Sequence, residues 1–422
     1  MLGELWEHLG VSGLLDRHLP EPGSGRGFRP SEVVRSISNI LFNGGEHLSD
    51  IRSLDSDLAL RKFCGVKKFP AANTLTTWLN RCERWVESEN RGGLQNVTLQ
   101  GLERVNRELL GGLARAMKKT GLILDIDATV IKTAKRTAKI AYNGIRGYQP
   151  QLAFLPELRA FVVSDFRIGN EPCSKAVVSY LEHCKANMPD GTHIRMVRGD
   201  AAYYQRAVMN WCKDNGSEFL IRAGKNSNVM QAMSSISDDD WAPYVDKDGV
   251  EHSDTQVGGT WASMEDVGWF RLAVLRRRRD DPQLEIFDAR YEYFPVATSL
   301  DLPATEAIEM YNARGRMEDG IGQLKQDFGL SAMPCADVKA NAVWVAIGIL
   351  TFSIFALFKV LALGGDWVVK KAKAVRFHVL NVPGKLVRHA RTITLKLGCS
   401  AEFLQFLDDC RRRCRRLTSE FG

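Results

Sequence analysis

Residues 121–127 read Gly121-Leu122-Ile123-Leu124-Asp125-Ile126-Asp127, an apolar run that ends in an acid. A second run, residues 194–200, reads Ile194-Arg195-Met196-Val197-Arg198-Gly199-Asp200 and also ends in an acid. Short apolar runs bounded by polar residues are typical of buried strands. The two runs therefore predict a buried sheet in which two strands carry a carboxylate at their end.

The residues around these runs predict a complete α/β core. The predicted strands are 121–127, 134–143, 159–166, 193–200 and 218–221, and the predicted helices are 174–188 and 203–215. The order β-β-β-α-β-α-β is that of an RNase H-like core, in which the first and fourth strands are neighbours. This topology would bring Asp127 next to Asp200, and a further helix over residues 305–327 would supply a third carboxylate.

The helix predicted over 305–327 carries four spaced polar residues. Tyr311, Arg314, Glu318 and Lys325 lie at offsets of 0, 3, 7 and 14 residues, so at 3.6 residues per turn they share one stripe of a helix. The alternative is an ordinary solvated helix face with an Arg/Glu/Lys ladder. Two glycines between Glu318 and Lys325, each costing about 1 kcal/mol relative to alanine, indicate close packing or a bend.

Asp127, Asp200 and Glu318 are the candidate catalytic and metal-binding residues. Mg²⁺ prefers hard oxygen ligands, and two such ions about 3.5–4 Å apart suit an in-line phosphoryl transfer. The structural alternatives are a turn cap for Asp127 and a helix N-cap for Asp200. Asp125 faces the same side of its strand as Asp127, so both carboxylates could reach the site. We expect Asp127 to be the metal ligand and Asp125 to support it.

The chain resembles a known family at these residues. Tyr311, Arg314, Glu318 and Lys325 match the Y-x2-R-x3-E-x6-K signature of bacterial DDE transposases of the IS4-like group. The blocks 127–129 (Asp-Ala-Thr) and 198–203 (Arg-Gly-Asp-Ala-Ala-Tyr) look like the two aspartate blocks of its IS1380 branch. The resemblance extends loosely over most of the chain.

The resemblance implies a cut-and-paste transposase that binds the terminal inverted repeats of an insertion sequence. It implies two Mg²⁺ ions, with Mn²⁺ as a substitute, and double-stranded DNA as the partner of a homodimer in the synaptic complex. Tyr311, Arg314 and Lys325 would bind DNA phosphates. Two other functions stay open: an RNase H-like structure-specific nuclease, and a non-catalytic DNA-binding relative of a transposase.

The predicted organisation has five parts. They are a helical DNA-binding domain (1–115), the first part of the RNase H-like core (116–222), a β-rich insertion forming a separate lobe (223–294), the second part of the core with the Glu318 helix (295–363), and a basic, helical C-terminal region (364–422). IS4-like transposases carry an insertion at this point. Trp241, Trp261 and Trp269 in the insertion are expected to lie in its core.

Composition and charge fit a DNA-binding protein. The net charge is +7, and residues 366–422 contain thirteen Lys and Arg against five Asp and Glu. A second basic run occupies residues 276–279, and basic runs of this kind either contact a polyanion or are simply solvated.

Two further patterns bear on where the protein works. Residues 342–363 are apolar enough to suggest a membrane span, but we expect a buried core helix and no membrane partner. The N-terminus lacks the basic region of a signal peptide, and the scattered cysteines favour free thiols. We therefore expect a bacterial cytoplasmic protein that is associated with the nucleoid.

Overall fold

A computed structural model describes residues 1–22, 27–63, 66–82, 85–87, 94–279, 290–389 and 392–416. Residues 280–289 of the predicted insertion and 417–422 of the basic C-terminal region lie outside the described residues. The helices are α1 (Leu2–His8), α2 (Val11–His18), α3 (Pro30–Phe42), α4 (Ile51–Ser56), α5 (Leu58–Phe63), α6 (Ala72–Arg81), α7 (Val97–Ala116), α8 (Val177–Ala186), α9 (Arg206–Asp214), α10 (Ser227–Ser234), α11 (Ala304–Asn312), α12 (Gly315–Gln326), α13 (Val338–Leu357), α14 (Ala372–Val375) and α15 (Ala401–Arg416). The strands are β1 (Trp85–Glu87), β2 (Leu94–Asn96), β3 (Gly121–Ala128), β4 (Ile131–Lys132), β5 (Lys139–Ile140), β6 (Arg146–Tyr148), β7 (Gln151–Leu155), β8 (Ala160–Asp165), β9 (His193–Gly199), β10 (Glu218–Arg222), β11 (Ala242–Val245), β12 (Glu251–Met264), β13 (Gly268–Arg278), β14 (Tyr291–Thr298), β15 (Gly384–His389) and β16 (Thr392–Leu397).

One mixed sheet dominates the α/β fold. Its nine strands run in the order β11-β12-β13-β14-β10-β9-β3-β7-β8. Strand β9 is parallel to both β3 and β10, and the other pairs are antiparallel. The predicted adjacency of the strands that end at Asp127 and Asp200 is therefore confirmed.

The strand predicted over 134–143 is wrong. That segment contributes only Lys139–Ile140 to a small separate sheet in the order β4-β6-β5. On the side of β3 away from β9, the neighbouring strand in the large sheet is β7, and all five residues of β7 are buried. Residues 134–143 are rich in lysine and arginine, whose charges are costly to bury in a core strand.

The single helix predicted over 305–327 is also wrong. The chain forms two helices, α11 and α12, which meet at Ala313 and Arg314. The stripe calculated for one straight helix therefore does not hold across the break. Arg314 and Lys325 nevertheless both reach the strand that carries Asp127, as described below.

The insertion does not form a separate lobe. Strands β11, β12 and β13 extend the large sheet, because β14 pairs with β13 on one side and with β10 on the other. The predicted β-rich character of this segment is present, but its strands continue the core sheet.

Helix α13 lies at the centre of the molecule. It continues as a π-helix over Phe358–Leu363, and this helical stretch is the one found among the described residues that is long and apolar enough to cross a membrane. Of its most apolar window, 89% is buried inside the protein, and α13 contacts α3, α7 and strand β8. A helix that is apolar on all sides and packed on all sides is typical of a core, as predicted from the sequence.

The terminal regions share this core. In α7, the Asn106 side chain donates hydrogen bonds to the carbonyl oxygens of Phe161 and Val162, each at 2.8 Å, so the N-terminal helices pack directly on β8. At the other end, Arg411 pairs with Glu4 at 2.6 Å. Part of the C-terminal positive charge therefore holds the chain together. The C-terminal region also contains the β15–β16 hairpin and so is not purely helical.

Two glycines of α12 have different surroundings, which gives a stability prediction. A Cβ at Gly320 would lie 3.2 Å from Phe161 and 3.3 Å from Phe154, whereas one at Gly322 would meet nothing within 4 Å. We expect Gly322→Ala to stabilise the protein by about 0.5–1 kcal/mol through helix propensity. We expect Gly320→Ala to destabilise it, because overpacking costs about 1–3 kcal/mol. Urea unfolding of the two variants measures the difference, and equal stabilisation by both would contradict the close packing at Gly320.

Candidate active site

Asp127 and Asp200 leave neighbouring parallel strands side by side. In the register of β3 and β9, Ile126 pairs with Gly199, and the two aspartates follow these residues. The proximity has an electrostatic consequence. Burial raises the pKa of Asp127, Arg314 opposes this effect, and the negative charge of Asp200 adds to it.

Each aspartate also caps its own backbone. The amide of Ala128 donates to Oδ1 of Asp127 at 2.8 Å, and the amide of Ala202 donates to Oδ1 of Asp200 at 3.0 Å. The structural alternatives considered for both residues are thus present, but each bond occupies one carboxylate oxygen. Within the described part of the chain, the Ala202 bond is the one hydrogen bond that the Asp200 side chain accepts.

Arg314 joins the helical break to the end of β3. Its Nη2 lies 2.9 Å from Oδ2 of Asp127 and donates to the carbonyl oxygen of Ile126 at 3.2 Å. Its Nη1 lies 3.7 Å from Oε1 of Glu318, one helical turn further on. The guanidinium is buried and is positioned between the two carboxylates.

Glu318 remains largely exposed at the mouth of the site, with 67% of its side chain accessible. In the residues that the structure describes, no three His, Cys, Asp or Glu side chains form a group that could hold a metal ion. Asp127, Asp200 and Glu318 do not form such a group, and the role of Glu318 as the third carboxylate stays a prediction. The contacts give a physical reason, since the Arg314 guanidinium occupies the space between Asp127 and Glu318.

The other two signature residues also approach this edge of the sheet. The ammonium group of Lys325 donates to the carbonyl oxygen of Val130 at 2.9 Å, just beyond β3. Burial lowers the pKa of Lys325, and the charge of Asp127 opposes this effect. Tyr311 is partly buried, and burial raises the pKa of its phenol, while Arg314 opposes the rise. Arg314 and Lys325 thus donate to backbone carbonyl oxygens at the end of β3 and just beyond it.

Asp125 has a structural partner that the sequence did not reveal. Its carboxylate accepts two hydrogen bonds from Arg198, at 2.6 and 2.7 Å, and both side chains are buried. Arg198 also donates to the carbonyl oxygen of Met310 in α11. Both oxygens of Asp125 are thus engaged in a buried ion pair, and its supporting role in the site stays a prediction. An arginine inside an apolar strand is the sequence signal that was missed.

An open cleft of about 530 Å³ lies over the two aspartates. The cleft is lined by both aspartates and by residues of three neighbouring segments: Asp127, Ala128, Ile140, Ala141, Tyr142, Gln149, Gly169, Asn170, Pro172, Cys173, Ser174, Asp200 and Ala202. Tyr142 and its neighbours were not predicted to belong to the site. The cleft is large enough for a nucleotide-sized ligand.

Two of the three tryptophans of the insertion are not in its core, contrary to expectation. Trp241 is buried, but Trp269 is 73% exposed and Trp261 is 47% exposed, stacked on Arg271 with 5.1 Å between the guanidinium carbon and the ring centre. Both lie on one face of the β12–β13 hairpin, whose opposite face buries Phe270. The sequence pattern predicted the strands of the insertion, but it did not predict on which face of them each tryptophan lies.

The basic run 276–279 is only partly available to a ligand. Arg276 is buried between the rings of Trp241 and Tyr291, at 4.1 and 4.4 Å from the ring centres, and donates to Gln256. Arg277 lies 3.9 Å from Asp254. Arg276 therefore stabilises the sheet, whereas the contact of Arg277 is exposed and contributes little.

The carboxylates fit a divalent cation. Burial raises the pKa of Asp127, and the nearby charge of Asp200 raises it further. Within the described residues, Asp200 has one carboxylate oxygen that accepts no hydrogen bond, whereas the second oxygen of Asp127 is paired with Arg314 and would bind a cation only after Arg314 moved away. Hard anionic oxygens at a cleft are the donors that Mg²⁺ prefers. In the described part of the chain, no thiol or imidazole group completes a softer site with them.

Comparison with known proteins agrees with this chemistry. The family model described as transposase DDE domain group 1 matches residues 1–419. A cryo-EM structure of the piggyBac transposase synaptic complex with hairpin DNA is similar at a TM-score of 0.43 and 10% identity, covering 100% of this chain and 80% of that one. No curated protein matches the chain. The chain belongs to the DDE transposases, in the family transposase DDE domain group 1.

Proposed function

We propose that this transposase is a cut-and-paste DNA transposase of the IS4-like group, in its IS1380 branch, and that it binds the terminal inverted repeats of an insertion sequence. The observation that carries the proposal is the parallel pairing of β3 and β9, which brings Asp127 and Asp200 together beneath an open cleft. The strand order β8-β7-β3-β9-β10 supports an RNase H-like core for this part of the sheet.

In this proposal Asp127, Asp200 and Glu318 are the catalytic residues and hold two divalent ions. DDE transposases generally use divalent metal ions, and we propose Mg²⁺, with Mn²⁺ as a substitute. When bound, Mg²⁺ supplies activation of the attacking oxygen and neutralises charge at the phosphate. Glu318 reaches the aspartates by a rotation of its exposed side chain once Arg314 turns towards phosphate.

The basic and aromatic residues of the signature position the DNA. Arg314 offers a planar guanidinium suited to a phosphate, and Lys325 offers a point charge at the loop after β3. Tyr311 lies close enough to Asp127 and Asp200 for their charges to raise the pKa of its phenol. Because hydrolysis and strand transfer are both in-line phosphodiester displacements, one site can perform both.

The proposal is tested with the DNA that flanks the gene. Inverted repeats found there would be placed on labelled duplexes, and single-turnover cleavage would be followed with Mg²⁺, with Mn²⁺ and with EDTA. We expect metal-dependent nicking at the repeat end, followed by strand-transfer products. Cleavage without strand transfer would favour a structure-specific nuclease, and binding without cleavage would favour a non-catalytic relative.

The proposal includes an assembly and a location. Synapsis of two DNA ends is expected to involve a homodimer, which light scattering with and without repeat DNA would measure. Because the substrate is chromosomal DNA, we expect the protein in the bacterial cytoplasm at the nucleoid.

A further inference from the structure

Three elements meet at the ring of Phe161, the second residue of β8. The ring packs on Phe352 of α13, with 5.3 Å between the ring centres. On α12, a Cβ at Gly320 would lie 3.2 Å from the same ring. The start of β8, α12 and α13 therefore pack against one another at this point.

Each of these elements carries a cation close to the junction. Arg159 ends the turn that precedes β8. Arg316 lies one helical turn before Gly320, on the same face of α12. Lys359 follows Phe352 by two helical turns and lies on the same side of that helix. None of the three cations lines the cleft over the aspartates.

The charges of the three cations affect one another. Burial and the charge of Arg159 lower the pKa of Lys359 to about 8. Burial also lowers the pKa of Arg159, and the charge of Arg316 adds to this effect. The three like charges therefore lie close enough to repel one another.

Within the described residues, no carboxylate compensates this charge. None of the three cations forms an ion pair, and the guanidinium groups of Arg159 and Arg316 donate no hydrogen bond. Lys359 is 7% exposed, yet its ammonium group donates to one acceptor, the carbonyl oxygen of Lys370 at 3.1 Å. An ammonium group has three hydrogens to donate, and a buried charge without a counter-ion is costly. An anion that binds here would remove part of that cost.

The backbone at two of these cations is unusual. Arg159 has a φ of 52°, in the left-handed region that residues other than glycine rarely adopt. Lys359 lies in the π-helix Phe358–Leu363. Strained backbone and π-helical turns are both frequent at functional sites, so these features support a binding role for the cluster.

We propose that Arg159, Arg316 and Lys359 form a phosphate-binding site that is separate from the two aspartates. Guanidinium groups offer paired donors that match phosphate oxygens, and the ammonium group adds a buried point charge. The backbone of bound DNA and inorganic phosphate can both supply the phosphate group. The DNA source rests on the proposed function, and it places a duplex phosphate beside α12.

Urea unfolding tests the site without DNA or metal. The urea midpoint is measured in sodium phosphate and in sodium chloride at equal ionic strength, with EDTA in both buffers. Phosphate also stabilises proteins without binding a specific site, so the quantity compared between variants is the shift in midpoint from chloride to phosphate. We expect a larger shift for the wild type than for Lys359→Met or Arg316→Gln, because the wild type alone gains the energy of phosphate binding.

The two variants are complementary. Lys359→Met replaces a buried charge without a counter-ion by an apolar side chain, and in chloride it should unfold at no lower urea concentration than the wild type. Arg316→Gln changes an exposed side chain, so the fold should be retained and the phosphate shift can be measured whatever the stability of the other variant.

A matched pair of glycine variants provides the control. Arg159 and Lys118 both have a φ of 52°, so a glycine at either position relieves the same backbone strain and removes one cation. Lys118 is exposed just beyond the end of α7. Arg159→Gly should lose the phosphate shift, whereas Lys118→Gly should keep it.

A second measurement distinguishes DNA from inorganic phosphate. Binding of a short duplex that carries the inverted repeat is measured in EDTA over a range of salt concentrations. If the DNA backbone occupies the site, Arg316→Gln should make the salt slope shallower by about 0.9 for one lost phosphate contact. A lost phosphate shift with an unchanged slope would identify inorganic phosphate as the ligand of the site.

The same phosphate shift for the wild type and for all three site variants would overturn the inference. The proposed function is judged separately, by metal-dependent cleavage of the repeat ends. Normal cleavage by a protein that shows no specific phosphate shift would remove this site and leave the transposase mechanism intact.

Discussion

Asp200→Asn is expected to abolish metal-dependent cleavage while leaving the fold intact. The asparagine side-chain oxygen can still accept the hydrogen bond from the Ala202 amide, so the turn after β9 is retained. What is lost is one anionic ligand, and metal-ion stabilisation worth several kcal/mol corresponds to about 10³-fold in rate. Single-turnover cleavage of the repeat duplex measures the effect, with urea unfolding as the check on the fold. Normal cleavage by this variant would refute the site and its metal chemistry together.

Glu318 offers a sharper comparison because its neighbour is a matched control. Glu318 and Asp319 are adjacent on α12 and similarly exposed, at 67% and 64% of their side chains. Asp319 pairs with Lys371 at 3.2 Å and points away from the aspartates. Glu318→Gln should therefore lose cleavage to the same extent as Asp200→Asn, whereas Asp319→Asn should retain it. Normal cleavage by both variants would exclude Glu318 from catalysis.

The strands that carry the aspartates could be predicted because their signal is local. Apolar runs with a terminal acid identified β3 and β9 to within a residue, and the order of elements gave their adjacency. Strand β7, by contrast, has only five residues and lies between Pro150 and Pro156, a pattern that resembles a connection. Its role is set by pairing with β3, which local sequence does not encode.

The same limit explains the other differences. The break between α11 and α12 lies where Arg314 reaches back to Asp127, a contact between residues far apart in the chain. The insertion joins the large sheet because β14 pairs with β13 on one side and with β10 on the other. The pairing with β10 also joins residues that are far apart in the chain. The charge of the basic C-terminal region is also not all available to a polyanion, because Arg376 donates to the carbonyl oxygens of Leu41 and Phe42 and so attaches the region to α3. Deleting the tail would therefore test stability before it tested DNA binding.

The buried pair of Asp125 and Arg198 carries the last prediction, which concerns stability. Removing one partner of a buried ion pair leaves an uncompensated charge and costs about 3–5 kcal/mol. Asp125→Ala is therefore expected to lower the free energy of unfolding by that amount. Arg195 on the same strand is the matched control, because its side chain is 46% exposed where it contacts Glu157 at 3.2 Å, and its loss should cost about 1 kcal/mol.

A double variant separates the stability of the pair from its role in placing α11. Asp125→Leu with Arg198→Met replaces two buried charges by apolar groups and should recover much of the lost stability. It also removes the donor to the carbonyl oxygen of Met310, one residue before Tyr311, so α11 and Arg314 lose a link to the strands. We expect this variant to fold but to cleave slowly, with urea unfolding and single-turnover cleavage as the two measurements. If Asp125→Ala lowers the free energy of unfolding no more than Arg195→Ala does, the Asp125–Arg198 pair does not stabilise the sheet. The hydrogen bond from Arg198 to α11 is then unimportant for the position of Arg314.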